Sequence, residues 1–215
     1  MQKQKTSSTN LGRAADNGKS PVFFPSPYFS CSNMLRQSNL SSCQWLFHPG
    51  MLFGSSCKWW GTGGERSTPH EGLDFYTFID ERGGVGTIPV FTEVPVLFDG
   101  IICCVCDDFL GQTLVVCHEI KESSYQAVAT IYSHIEPAAA LKIGRHLQAG
   151  VVLGTLARPA TSSTVPAHLH LSVIGLPDQK AGFDFDWQNV ANLQIEFLDP
   201  FQFIALSFQV QAESF

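Results

Sequence analysis

Residues 166–173 read PAHLHLSV, from Pro166 to Val173. Leu169, Leu171 and Val173 alternate with His168, His170 and Ser172, the period-2 pattern of a β-strand with two unlike faces. On such a strand both imidazoles leave the same face, their Cα atoms about 6.6 Å apart. Two neighbouring same-face histidines in an apolar strand call for partners from elsewhere in the chain.

Around this stretch the pattern is consistently β. The runs IPVFTEVPVLFDGIICCVCDD, QTLVVCHEI, AVATIYSHI and VVLGTLA are short and rich in β-branched and aromatic residues. Turn pairs such as Asp99-Gly100, Leu110-Gly111 and Ala149-Gly150 punctuate them. Short strands at this spacing predict an all-β sandwich or barrel-like domain. A short C-terminal helix is expected after Asp199, with Asp199 as N-cap and Pro200 at the first helical position.

The domain expectations follow composition. Residues 1–21 are polar and read as a disordered N-terminus, without the apolar core of a cleaved signal peptide. Residues 22–66 form an irregular aromatic and Gly/Ser-rich extension that packs on the domain, with Trp45, Phe47, Trp59 and Trp60 as anchors. Residues 67–206 form the domain itself and 207–215 a tail.

The chain has 215 residues, 44% hydrophobic and 15% charged, with a net charge of −6. No Lys/Arg-rich run exists to neutralise phosphates, so a nucleic-acid partner is not expected. No apolar run reaches the length of a transmembrane segment. Seven cysteines leave at least one thiol unpaired within the chain. In Cys103-Cys104-Val105-Cys106 the formal C-x-x-C lies on a strand whose positions three apart face opposite ways, so buried reduced thiols are expected there.

The histidines organise the rest. His70 and Asp74 lie in H-x-G-x-D, a mixture of imidazole and carboxylate that suits a borderline metal ion. Fully extended, their Cα atoms would be about 13 Å apart, and Gly72 between them permits the bend that closes the gap. His134 ends a strand in IYSHIE. His48, His118 and His146 have no such company and read as turn, strand-end and surface residues.

Taken in order, H-x-G-x-D, Y-x-H and H-x-H on a β domain resemble the M23 family of zinc metallopeptidases, the LytM/lysostaphin-type endopeptidases that cut peptide cross-links in peptidoglycan. LGQTLVVCHE resembles the family's Gly-Asn-x-Val-x-I-x-His strand, with Gln112 where Asn is usual. LKIGRHLQAGVVLGTLA and FLDPFQFI resemble its later Gly-rich and Asn/Asp-Pro segments, so the likeness spans about His70 to Phe203. It implies a LytM-like antiparallel β domain, Zn2+ held by His70, Asp74 and His170, and His134 and His168 as non-ligand catalytic histidines. Tyr132, two residues before His134, would contribute to the substrate wall. A peptidoglycan substrate would place the chain in the bacterial periplasm or outside the cell.

Two departures stand out. The run before H-x-H, ARPATSSTVPAHLH, has fewer glycines than the family loop, and FYTFIDERGGVGTIPV is longer than the family link. The alternative reading is a non-catalytic LytM-like zinc-binding module that regulates a cell-wall hydrolase. A fourth protein ligand from the N-terminal extension, His48 or a cysteine, would favour a structural or latent zinc site.

Overall fold

Thirteen strands run through the described residues of a computed structural model, namely 27–36, 42–119, 127–176, 185–193 and 195–212. The first six are β1 (Cys43–Phe47), β2 (Leu73–Phe75), β3 (Thr77–Asp80), β4 (Val85–Thr87), β5 (Glu93–Pro95) and β6 (Gly100–Asp107). The others are β7 (Gln112–His118), β8 (Ala127–Pro137), β9 (His146–Leu147), β10 (Val152–Leu156), β11 (Leu169–Leu176), β12 (Glu196–Leu198) and β13 (Phe208–Val210). Residues 1–21, expected to be disordered, lie outside the described residues. Among those described, no helix is long and apolar enough to cross a membrane.

The fold is all-β and its strands form two sheets. The larger runs β12-β11-β8-β7-β6-β9, with β2 also paired to β11 and β10 paired to both β5 and β8. The smaller runs β13-β1-β3-β4, in which only the β1–β13 pair is parallel. Neither sheet closes into a barrel. β8 is buried from Ala127 to Ile135, as a central strand covered on both faces should be.

The main core lies between the sheets. Trp45, Phe47 and Phe75 pack edge to face, with centroids 5.0 Å apart for Trp45–Phe75 and 5.5 Å for Phe47–Phe75. Such buried aromatic side chains each stabilise the fold by roughly 1.5–3 kcal/mol. The buried Trp45 indole N–H donates to Phe29 O at 3.0 Å. On the other face of the larger sheet, Val115, Ala129, Ile131 and Ile174 are covered by Phe185.

Several local expectations are revised. The C-terminal helix is a single 3-10 turn, Pro200–Gln202, with the Asp199 carboxylate accepting from Phe201 N–H. Part of the expected tail, Phe208–Val210, is strand β13 against β1. Cys103 is not a reduced thiol: it is joined to Cys117 on the adjacent strand, and Cys31 is joined to Cys43. A bulge in β6 between Ile102 and Cys104 leaves Cys103 outside the ladder. Cys104 and Cys106 stay free, as expected. Burial raises the Cys106 thiol to about 12, so it resists ionisation to the reactive thiolate.

Candidate metal centre

Strand pairing brings the first two members of the site together. β2 runs antiparallel to β11 with Asp74 opposite His170. Directly opposed residues on one face put their side chains within contact range. Gly72, just before β2, lets the preceding loop lie against β11: a Cβ there would be 2.3 Å from Leu171 O. The loop then carries His70 back over Asp74. His70 N–H donates to Ser55 O at 2.9 Å, and Gly54 N–H donates to His70 O at 2.8 Å. The glycine anticipated as a bend is needed for close approach.

His70 Nε2 lies 3.1 Å from Asp74 Oδ1 and 3.1 Å from His170 Nδ1, while His170 Nδ1 is 2.8 Å from Asp74 Oδ1. Tetrahedral ligands about 2.0 Å from a zinc ion lie about 3.3 Å apart, so this triangle has the size of one face of such a shell. All three residues are buried.

The groups behind them set which atoms face inward. His70 Nδ1–H donates to Leu52 O at 3.0 Å, leaving Nε2 with its lone pair. His170 Nε2 pairs with Ser172 Oγ at 2.8 Å; with Ser172 accepting, Nδ1 is bare. Asp74 Oδ2 accepts from Trp59 Nε1 at 2.6 Å and from Arg66 Nη2 at 3.3 Å, so Oδ1 is the inward oxygen. Two imidazole lone pairs and a carboxylate oxygen aimed at one point repel one another unless a cation lies among them. The residues therefore fit zinc, with outer hydrogen bonds of the kind that orient metal ligands.

Burial opposes ionisation of Asp74, but its electrostatic interactions with the neighbouring His70, His168 and His170 outweigh it and hold its carboxyl well below the usual value. Burial lowers the His170 pKa, against the opposing pull of Asp74.

His134 and His168 flank this triangle. Their rings are 4.7 Å apart, and the His134 ring is 6.1 Å from that of His170. His168 Nδ1–H donates to Pro166 O at 2.8 Å, so its bare Nε2 points inward, 3.5 Å from Asp74 Oδ1. Burial lowers the His168 pKa to about 3 despite the Asp74 charge. His134 Nδ1 lies 3.0 Å from Asp108 Oδ1. Burial would raise the Asp108 carboxyl, but the hydrogen bonds and charge of His134 prevail and hold it well below the carboxylate range. The five histidine and aspartate positions singled out in the sequence thus converge.

Tyr132 does not line the cleft. It is fully buried, its ring 6.2 Å from that of Phe29, and its hydroxyl accepts from Leu97 N–H at 2.9 Å. The reason is a bulge. Gln112 pairs with Ile135 and Leu114 with Tyr132, so Thr113 alone faces both Ser133 and His134. The extra residue breaks the alternation, and His134 takes a positive φ of 67°. Tyr132 points into the core while His134 points into the cleft.

The cleft above the site has a volume of about 520 Å³ and is walled by Trp60, Phe109, Val165 and Trp187. Among the described residues only His70, Asp74 and His170 form a possible metal cluster. His48 is elsewhere, its Nδ1 accepting from Gly50 N–H at 3.0 Å. Sequence reading missed Trp59 and Arg66 as supports of Asp74, and Asp108 as the partner of His134. The only local signal for Asp108 was a carboxylate three residues before the Gly of a hairpin turn.

The fold and this triangle define a β-rich domain with a two-histidine, one-carboxylate candidate zinc centre. No protein-family model and no curated protein matches the chain. Among solved structures it is similar to M23 peptidases. The catalytic domain of lysostaphin from Staphylococcus simulans matches with a TM-score of 0.43 and 15% identity, over 78% of this chain and 94% of that one. The catalytic domain of the prophage-encoded M23 protein EnpA from Enterococcus faecalis matches with a TM-score of 0.37 and 19% identity, over 59% and 87%. A zinc-containing peptidase from Vibrio cholerae matches with a TM-score of 0.39 and 22% identity, over 62% of this chain but only 36% of that one.

Proposed function

We propose that this chain is a zinc-dependent endopeptidase whose substrate is the peptide part of peptidoglycan. The observation that carries the reading is the convergence of His70, Asp74 and His170 beside two further histidines, all lining or adjoining one open cleft. Three protein ligands leave a fourth position for water or substrate, the arrangement of catalytic rather than structural zinc. A zinc ion held by His70 Nε2, Asp74 Oδ1 and His170 Nδ1 would supply Lewis acidity, polarising a carbonyl and making water a stronger acid near neutral pH.

The remaining work falls to the chain itself. Trp60, Phe109 and Trp187 give the cleft apolar walls, against which a peptide can lie with its scissile bond over the site. The inward nitrogens of His134 and His168 orient the attacking water, accept its proton and return a proton to the leaving amine. General acid–base steps of this kind contribute about 10²–10⁴-fold in rate.

The test is incubation of the purified chain with purified peptidoglycan, with and without a chelator, and mass analysis of the released fragments. New amine and carboxyl ends that disappear with chelator and return with zinc are expected. His70→Ala, Asp74→Ala and His170→Ala should each lose zinc in elemental analysis, whereas His134→Ala and His168→Ala should keep it and lose turnover. A chain that holds zinc but releases no peptide would instead be the non-catalytic module.

A further inference from the structure

Asp108 sits at the tip of the β6–β7 hairpin, its carboxylate only 2% exposed. Oδ1 accepts from Leu110 N–H and Gly111 N–H, each at 2.8 Å, which fixes the turn. Oδ2 accepts from Thr113 Oγ1 at 2.9 Å and from the backbone N–H of His134 at 2.9 Å. The fifth contact is His134 Nδ1 to Oδ1 at 3.0 Å. One carboxylate thus holds both the main chain and the ring of the same histidine.

That histidine occupies a special place in the sheet. At Ser133, β8 still pairs with β11, opposite His170; from Ile135 onward it pairs with β10. His134 lies between these partners with φ 67°, a conformation that non-glycine residues rarely adopt and that persists only where surroundings enforce it. The surroundings here are Asp108 on its N–H and Ala157 N–H on its carbonyl, at 2.9 Å each. A turn carboxylate needs none of this to complete a hairpin. Its grip on His134 is additional.

We propose that Asp108 is a positioning residue: it locks His134 with the proton on Nδ1 and a bare Nε2 toward the cleft, ready to take a proton from the attacking water. This rests on the hydrolase reading above. Because the carboxylate accepts at Nδ1, that nitrogen must carry the proton, and a second proton arriving at Nε2 meets a paired negative charge. In the forward step a water O–H bond breaks as the Nε2–H bond of His134 forms, and the water oxygen bonds to the carbonyl carbon while the C=O π pair moves onto the carbonyl oxygen. In the second step Nε2–H breaks and its proton goes to the leaving nitrogen, while the oxyanion re-forms the carbonyl and the C–N bond breaks.

The experiment uses the full chain labelled with 15N at histidine. The His134 signals are identified by their loss in His134→Gln, and proton–nitrogen spectra are recorded near pH 7.5 with and without zinc. The expected result is an Nδ1–H tautomer for His134 in the wild type. In the turnover arm, Asp108→Asn should keep stoichiometric zinc and a KM within about threefold, while kcat on peptidoglycan falls about 100-fold or more. In a His134→Gln background the same change should have no further effect, since residues acting as a unit are non-additive. An Nε2–H tautomer in the wild type overturns the proposal, as does near-normal kcat in Asp108→Asn or a full additive loss in the double variant. The wild-type spectrum needs neither substrate nor a variant at position 108. A poorly folding Asp108→Asn protein therefore leaves the decision with the tautomer, and a wild type inert on peptidoglycan counts against the hydrolase alone.

Discussion

Trp59 donates its indole N–H to Asp74 Oδ2 at 2.6 Å. With Arg66 Nη2 on the same oxygen at 3.3 Å, Oδ2 is occupied and the carboxylate cannot swing both oxygens toward a metal. The segment N-terminal to His70 is therefore part of the candidate metal centre's support. Trp59→Phe keeps an aromatic ring where the indole packs on Tyr76 and His168, at 5.0 and 5.1 Å between centroids, and removes the N–H donor with the smaller ring. Loss of such an outer hydrogen bond typically weakens metal affinity about 10–100-fold. Competition against a calibrated zinc chelator should show a drop in that range, and an unchanged affinity would assign Trp59 to packing alone.

Gly72 separates the two proposed ligands of H-x-G-x-D, and the added methyl of Gly72→Ala would meet the main chain of β11 at Leu171 O, 2.3 Å away, and Ser172 Oγ at 2.7 Å. Ser172 also supports His170, so the clash propagates to a proposed ligand. Overpacking of this kind costs about 1–3 kcal/mol. Denaturant unfolding of the zinc-free protein should show that loss, and chelator competition a weaker zinc site. A variant as stable and as tight as the wild type would mean that β2 can shift away from β11.

Tyr132→Phe separates a core role from a substrate role. The hydroxyl accepts from Leu97 N–H at 2.9 Å and lies 3.0 Å from Thr130 Oγ1. Its removal leaves buried polar groups short of a partner, at about 1–3 kcal/mol. The melting temperature should fall while zinc content and kcat/KM of the folded protein stay within about twofold. A large rise in KM at unchanged stability would return Tyr132 to the cleft.

What could be read from the sequence was whatever repeats locally. The alternation of PAHLHLSV placed His168 and His170 on one face, and H-x-G-x-D marked a place where a loop must close on a strand. What escaped depends on pairing between distant residues. The bulge at His134 exists because one residue, Thr113, stands opposite two, Ser133 and His134, and nothing in IYSHIE reports the register of its neighbour. Tyr132 was misplaced for that reason alone. Asp108 looked like an ordinary turn carboxylate because its partner is 26 positions away. The Cys103–Cys117 pair joins adjacent strands across a hairpin, a contact hidden while Cys103 was read only with its immediate neighbours.

His118 provides a pH test independent of the metal ligands. It ends β7 away from the cleft, with Nδ1 2.8 Å from Asp99 O and Nε2 2.7 Å from Thr130 Oγ1. Burial lowers its pKa from 6.5 to about 4, and the Asp99 carbonyl and charge only partly offset this. Between those values the unfolded imidazole binds a proton and the folded one does not, so protons favour unfolding. The neutral ring's contribution is fully present above about pH 6.5 and is lost as pH falls to about 4, a change of about 3 kcal/mol. Urea unfolding from pH 4 to 7 in the presence of a chelator should show wild-type stability falling more steeply toward acid than that of His118→Asn. The variant should be less stable at neutral pH, because Thr130 loses a partner, and flatter in its pH response. Other titrating groups, including the metal-site histidines, are common to both proteins and cancel in the difference. Parallel curves for the two would show that His118 is protonated alike in the folded and unfolded chain.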